Sequence, residues 1–403
     1  MKNSATIDGG ITAAKGFSAA GICAGIKKSG RPDMALVVSD SPAAVAAVFT
    51  TNKVQAAPVR LCRKHLSGRT GRAVIINSGN ANACTGEQGA TDALRMGELT
   101  AQLLGVEPSM VYVCSTGTIG VPMPMAKIEA GIHAAVAALA PDGGDRAAKS
   151  IMTTDTVDKQ IALELTIDNK PVRIGGMAKG AGMIEPNMAT MLSVLTTDAA
   201  VDGEALQACL ANAVKQSFNC ISVDGDQSTN DTVLFLANGA AGTDVLSATH
   251  PDWPAFCAAV DEVTRHLAIS IVKDGEGATK FVTLTVSGAA SEADARAVAR
   301  AVANSLLVKT SWFGEDPNWG RIMDAVGYSG AEVNETLVDV AYDGILAVAK
   351  GQSAGMAEQE LHSVLAKPQF RIDISLNLGS ASHKLYTCDC SHEYVKINSE
   401  YTT

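Results

Sequence analysis

Apolar residues along this chain fall into two alternating patterns: short continuous runs, and longer stretches with three- and four-residue spacing. The run MALVVSDSPAAVAAVFT at 34–50 predicts a buried strand, a polar turn and a second strand. RAVIINSGNANACTG at 72–86 and MVYVCSTGTIG at 110–120 each predict an apolar strand that runs into a loop of small polar residues and glycines. Sites tend to be built at such strand-to-loop junctions.

Helices are predicted between these strands. TDALRMGELTAQLLG and MAKIEAGIHAAVAALA carry apolar residues at helical spacing, and so does DGEALQACLANAVKQSF, where Asp202 is placed to cap and Leu206, Leu210, Ala213 and Val214 share a face. SEADARAVARAVANSLLVK opens with Ser291 and Asp294 in a capping-box arrangement. KFVTLTV at 280–286 and FRIDISLNLG at 370–379 alternate with period two, the mark of half-buried strands in an antiparallel or mixed sheet. The fold class is therefore α/β or α+β. The segment SGAASEA at 287–293 offers a domain boundary, with 190–287 completing the main body and 288–403 forming a smaller C-terminal domain.

Composition narrows the function classes. A formal charge of −10 and a pI near 5.2 argue against a nucleic-acid or anionic-membrane partner, either of which needs a cationic footprint. Apolar runs such as AAVAALA at 134–140 fall short of the ~18 to 20 residues that span a bilayer. MKNSATIDGG lacks the apolar region of a secretory signal, so a cytoplasmic protein is expected. Nine cysteines, an odd number, suit a reducing compartment and small buried side chains better than a disulfide framework. Only 4% of residues are aromatic, so Val, Leu, Ile, Ala and Met must build the core.

The segment GGMAKGAGMIEPNMATMLSVLTTDA at 175–199 holds the most suggestive chemistry. The hydroxyl of Thr190 lies where it can attack the Ala189 carbonyl through a five-membered ring, turning an amide into an ester that water cleaves. The α-amine so released, with a reference pKa of ~7.7 to 8.0, could then serve as general base for its own hydroxyl. By spacing alone, a threonine after a glycine-rich loop is more often a helix cap or strand start. A phosphate loop is disfavoured, because Lys179 lacks the Gly-Lys-Ser/Thr order.

KGAGMIEPNMATML resembles the self-cleavage and nucleophile motif of the ornithine acetyltransferase family, the glutamate N-acetyltransferases of arginine biosynthesis. GGITAAKGFSAAGICAGIK, AAVFTTNKVQAAPV, INSGNANACTG, VCSTGTIG, IMTTDT, KDGEGATKF, FGEDPNWGRI and YVKINSEYTT resemble further family segments, in the family's order and over essentially the whole chain. The resemblance implies a layered α-β-β-α sandwich with a smaller C-terminal α/β domain. It also implies an α chain of residues 1–189 and a β chain of residues 190–403, pairing into an (αβ)2 heterotetramer.

It further implies roles for single residues. Thr190 is the nucleophile and, with Ala189, the cleavage site. Thr116 and Gly117 match the oxyanion-hole pair, a chemistry that suits a hydroxyl and a backbone N–H at a strand end. Lys179 matches a substrate-contacting lysine, fit to receive an α-carboxylate. Glu276 matches a substrate glutamate, Thr153 a substrate threonine of the 153–156 cluster, and Asn398 and Thr403 tail residues that reach the substrate. Without the resemblance, Thr116 and Glu276 are turn residues, Lys179 a solvated loop lysine, and the tail a frayed terminus. Trp319 and Arg321 are family markers with a packing or assembly role. Cys388 and Cys390, with His383 and His392 nearby, are poorly spaced for zinc and are read as reduced thiols, so no metal is expected.

The implied reaction is a double displacement. Thr190 takes the acetyl group from N-acetylornithine as an ester, ornithine leaves, and the α-amine of glutamate removes the acetyl group in the same pocket. No metal or organic cofactor is required, although some family members also use acetyl-CoA as co-substrate. Two alternatives share the pattern: a self-processing N-terminal-nucleophile aminopeptidase of related fold, and an uncleaved, non-enzymatic binding protein.

Overall fold

The computed structural model describes residues 4–185 and 191–400. The chain forms two compact units: one ends at Asn219 and resumes over Asp226–Ile271, and the other takes Cys220–Gly225 and, among the described residues, 272–400.

Nine strands form the sheet of the first unit: β1 (Ser4–Ile7), β2 (Phe17–Ile22), β3 (Met34–Phe49), β4 (Thr70–Asn80), β5 (Val111–Thr118), β6 (Lys159–Ile167), β7 (Lys170–Lys179), β8 (Leu192–Thr197) and β9 (Thr232–Ala237). Their order is β1-β6-β7-β8-β9-β3-β4-β5, with β2 added against β3. The expected strand, turn and strand of residues 34–50 is instead one 16-residue strand. Its pairing with β4 slips between Val38 and Ala43, so Ser39 to Pro42 are absorbed as an irregularity, and the chain continues in the same direction. The first half of β3 pairs with β2 and the second half with β9. A single strand thereby links two parts of the sheet.

Side-chain parity shows the layering. Val74 and Ile76 of β4 share a core with Val194 of β8 and Leu234 and Leu236 of β9, so two parts of the sheet face each other. On the opposite side of β4, Ala73 and Ile75 pack with Met96 and Leu99 of the helix Gly86–Leu104 and with Ile128 and Ile132 of the helix Met125–Ala137. On the outer side of β9, Phe235 stacks on Phe256 of the helix Trp253–Lys273, with ring centroids 6.3 Å apart. Helix, sheet, sheet and helix therefore succeed one another. Strands covered on both faces read as continuous apolar runs rather than alternating ones, which is how β3, β4 and β5 appear in the sequence. Asp202 caps the helix Gly203–Gln216 through the N–H groups of Glu204 and Ala205.

The second unit has six strands: β10 (Phe281–Ala289), β11 (Asp339–Tyr342), β12 (Ile345–Ala349), β13 (Gln352–Ser353), β14 (Gln369–Ser375) and β15 (Ala381–Cys388), in the order β13-β12-β11-β14-β10-β15. β10 runs parallel to β14 and antiparallel to β15, a mixed sheet. Val282, Leu284 and Val286 share a core with Val298 and Val302 of the helix Glu292–Asn304 and with Trp312. The boundary expected at residues 287–293 moves upstream to Val272, because β10 belongs to this sheet and not to the nine-stranded one. The capping box forms: Ser291 Oγ accepts from the Asp294 N–H at 3.1 Å. The helix expected over 291–309 breaks at Ser305, which caps a second helix, Leu306–Phe313.

Candidate active site

The C-terminal ends of the parallel pair β4 and β5 carry the small polar residues that the sequence singled out. Ser78 pairs with Thr116 and Gly79 with Gly117, and at Asn80 the register slips, giving a bulge centred on Gly117. Gly117 has φ 131°, and a Cβ there would lie 2.4 Å from the Gly79 carbonyl carbon. Only glycine fits. Buried amides hold this ridge from beneath. Ser115 Oγ donates to Asn77 Oδ1 at 2.6 Å, and Asn77 Nδ2 donates to the Asn80 carbonyl at 2.8 Å. Asn230 Nδ2, just before β9, donates to the carbonyls of Ala81 at 2.5 Å and Ser115 at 2.8 Å.

Lys179 ends β7 and pairs with Leu192, the first residue of β8. Its Nζ donates to Thr116 Oγ1 at 3.2 Å, although both residues are less than one-tenth exposed. The structure thus joins two of the predicted site residues, which lie 63 positions apart. Thr190 precedes Leu192 by two residues in the sequence and, with Ala189 and Thr403, lies outside the described residues.

Thr153 enters through Asp155. Asp155 Oδ2 accepts from the Thr153 N–H at 2.8 Å, and Oδ1 accepts from the Gly180 N–H at 2.7 Å and from Lys159 Nζ at 2.7 Å. The side chains of Asp155 and Lys159 have no exposed surface. Burial alone would raise the Asp155 carboxyl, but the two cations Lys159 and Lys179 and these donors outweigh it, and the group is held well below the usual carboxylate range. Arg31 Nη2 donates to the Thr153 carbonyl at 3.1 Å.

Asp231 stands immediately before β9 and is 3% exposed. Burial pushes its carboxyl well above the usual range, against the pull of the Ser228 hydroxyl, Lys179 and the Met191 N–H. Its Oδ2 has no hydrogen-bond partner among the described residues. Asp155, Lys159, Asn230 and Asp231 are missing from the site as read from sequence. Their signals were present as the aspartate of IMTTDT and the Asn-Asp pair opening the apolar run of β9.

In the second unit, Glu276 and Asn398 meet: Asn398 Nδ2 donates to Glu276 Oε2 at 2.7 Å. Asn398 lies on the helix His392–Glu400, so the described tail is helical. Cys388 is buried and its thiol is pushed up to about 11, chiefly by burial. Lys309 Nζ lies 3.8 Å from its sulfur and bonds Thr387 Oγ1 at 3.2 Å. His392 packs edge-on against the Phe313 ring, directed at an aromatic neighbour. Arg321 Nη1 donates to the Leu307 carbonyl at 2.7 Å, a packing contact.

One grouping with metal-ligand chemistry occurs among the described residues: Asp168, His250 and Asp252. Its atoms are already engaged with one another. His250 Nδ1 accepts from the Asp252 N–H at 3.1 Å, which leaves Nε2 to carry the proton toward Asp168 Oδ1 at 3.1 Å. The cluster reads as a loop clamp.

A sandwich that holds a threonine hydroxyl, a bulged glycine and a buried lysine at adjoining strand ends is the kind of enzyme scaffold that can stabilise charge on a carbonyl oxygen. Comparison with known proteins agrees. The family model for the ArgJ family matches residues 18–403. The arginine biosynthesis bifunctional protein ArgJ of Geobacter sulfurreducens is 52% identical over 390 residues, covering 96% of this chain and 99% of that one. Its counterpart from Symbiobacterium thermophilum is 50% identical over 397 residues, covering 98% and 99%. The crystal structure of the arginine biosynthesis bifunctional protein ArgJ from Bacillus halodurans is similar with a TM-score of 0.51 and 42% identity, over 53% of this chain and 100% of that chain. The chain belongs to the ArgJ family.

Proposed function

We propose that this protein is a self-cleaving acetyltransferase of arginine biosynthesis, moving the acetyl group of N2-acetylornithine to glutamate through an ester on Thr190. The observation that carries the reading is likeness at about half of all positions, over nearly the full length, to proteins named for arginine biosynthesis. The bond from Lys179 to Thr116 beside the bulged Gly117 supports it.

In this reading the Thr190 hydroxyl attacks the acetyl carbonyl while its α-amine takes the proton. The Thr116 hydroxyl and the Gly117 N–H receive the developing oxyanion, the amine of ornithine departs with a proton, and the acetyl ester remains. Glutamate enters, its α-amine attacks the ester, and the Thr190 hydroxyl is restored. Lys179 receives the α-carboxylate that both substrates carry, and Thr153, Glu276, Asn398 and Thr403 complete the substrate contacts. The protein's own side chains, backbone and new α-amine supply every group in this scheme, so it calls for neither metal nor organic cofactor. The two chains work as a cytoplasmic (αβ)2 heterotetramer. Among the described residues, no helix is long and apolar enough to cross a membrane.

The test is intact mass and N-terminal sequencing of the purified protein beside Thr190→Ala, followed by transfer assays. Two chains, the second beginning Thr-Met-Leu-Ser, with an uncut variant and acetyl transfer to glutamate, are expected. A well-folded uncut wild type overturns the reading, and release of acetate without transfer replaces it with a hydrolase.

A further inference from the structure

We infer that Arg31 is a positioning residue for Thr153: it holds the Thr153 carbonyl, and the buried carboxylate of Asp33 folds the loop that brings Arg31 there. The inference rests on the reading of Thr153 as a substrate contact.

Thr153 lies in the irregular segment between the helix Gly144–Ser150 and β6, and side chains bind its backbone from two directions. The N–H goes to Asp155, two residues along, at 2.8 Å, and the carbonyl accepts from Arg31 Nη2 at 3.1 Å. The first bond is local to the segment. The second reaches a loop 122 positions earlier in the chain, and so bears on where the segment stands against the strands.

That loop, residues 23–33 between β2 and β3, is folded around Asp33. Asp33 is fully buried: its Oδ1 accepts from the Ala24 N–H at 2.6 Å, and its Oδ2 from the N–H groups of Ile26 and Lys27 at 2.6 and 2.9 Å. A carboxylate taken out of water needs such donors, so the loop that supplies three of them has its course set by one side chain.

Asp33 also binds the loop to the oxyanion ridge. Its carbonyl accepts from the Ser78 N–H at 2.8 Å, and Ser78 is the residue that pairs with Thr116. The Ser78 hydroxyl in turn donates to the Ser150 carbonyl at 2.6 Å, three residues before Thr153. Lys27 Cγ lies 3.0 Å from where a Cβ on Gly79 would stand, so loop and ridge are in contact there as well. Ridge, loop and the Thr153 segment form a closed ring of bonds, and Arg31 closes it. Such a ring keeps a substrate contact in register with the oxyanion donors before substrate arrives, which spares binding the cost of ordering the segment.

The experiment compares purified, self-cleaved wild type with R31A, R31K, D33N, the R31A/D33N double variant and T153V, measuring KM for both substrates, kcat and melting temperature. Arg31 is exposed, so R31A is expected to fold with a wild-type melting temperature. R31A is expected to raise KM about three- to tenfold, the scale of one charge-assisted hydrogen bond, with a smaller change in kcat. R31K, which keeps the charge but not the planar fork, falls between the two. D33N turns an amide NH2 toward backbone N–H groups, so it lowers the melting temperature and raises KM at least as far as R31A. Because its effect on KM runs through Arg31, it raises KM no further in the double variant. A role of Asp33 in folding alone lowers the melting temperature without that coupling. Wild-type KM in R31A, or KM effects of R31A and D33N that multiply in full, overturns the inference; R31A alone decides where D33N does not fold. Wild-type KM in T153V beside a raised KM in R31A instead overturns the reading of Thr153 as a substrate contact.

Discussion

Asn398 Nδ2 donates a hydrogen bond to Glu276 Oε2 across 2.7 Å, joining the C-terminal helix to the turn before β10. The pair makes the position of Glu276 depend on a residue near the end of the chain. Asn398→Ala is expected to raise KM for N-acetylornithine roughly tenfold by freeing the carboxylate, while Glu276→Gln, which removes the charge itself, costs more. Steady-state kinetics with each substrate varied in turn check this, and equal, small effects on both would refute it.

Gly117 and Gly120 both have positive φ, at 131° and 78°, but only Gly117 has backbone where a Cβ would go. Gly117→Ala is expected to lower kcat by about 10² to 10³, the effect of losing one oxyanion donor. Gly120→Ala, with open space around it, is expected to cost only about 1 to 2 kcal/mol of backbone strain and to leave kcat near wild type. Matching kcat losses in the two variants would count against the assignment of Gly117.

Asp155 also predicts an acid-stability profile. Its folded carboxyl lies below its unfolded value of ~3.9, so its contribution is present in full above that value and is lost as pH falls through the folded one. Asp155→Asn removes the carboxylate from a buried ion pair, expected to cost about 3 to 5 kcal/mol at neutral pH. The gap in melting temperature between wild type and variant should be constant from pH 7 to pH 5 and narrow below pH 4. A gap that widens on acidification would be the wrong sign.

The Lys27 amine is lowered to about 8 by burial and by the nearby cations Arg31 and Lys179, with Asp33 and Asp155 pulling the other way. A substantial neutral fraction is therefore expected near pH 8. Brief treatment with acetic anhydride between pH 6.5 and 9, followed by peptide mass spectrometry, should show Lys27 labelling climbing through pH 8 and levelling off by pH 9. Labelling of Lys27 that is still rising steeply at pH 9 would show that its amine is not lowered.

What could be read from the sequence follows from which patterns are local. Strands β3, β4 and β5 announce themselves because both faces are covered, and the caps Asp202 and Ser291 because capping is decided within three residues. The break at Ser305 is hidden, since LLVK continues the helical spacing beyond it. The continuation of β3 through Ser39 to Pro42 is equally hidden, because a turn and a bulge use the same residues. Within the site, Thr116, Gly117 and Lys179 are marked by their motifs. Asn230 is not, for its amide serves a carbonyl 115 residues away. Asp155 and Lys159 have the spacing of an exposed helical ion pair, yet they lie in the interior where the chain enters β6.

Strand order has a consequence for the history of the molecule. β9 lies between β8 and β3, and β8 lies between β7 and β9. If the chain is cut before Thr190, as proposed, β8 and β9 lie on one chain and their outer neighbours on another. The precursor then finds its native pairing as a single chain, whereas the matured protein, once denatured, must find it by collision of two. Renaturation of the cut protein is expected to slow and lose yield on dilution, while Thr190→Ala refolds at a rate independent of concentration. Maturation would thus make the folded state one that is reached once and afterwards kept by the slowness of its unfolding.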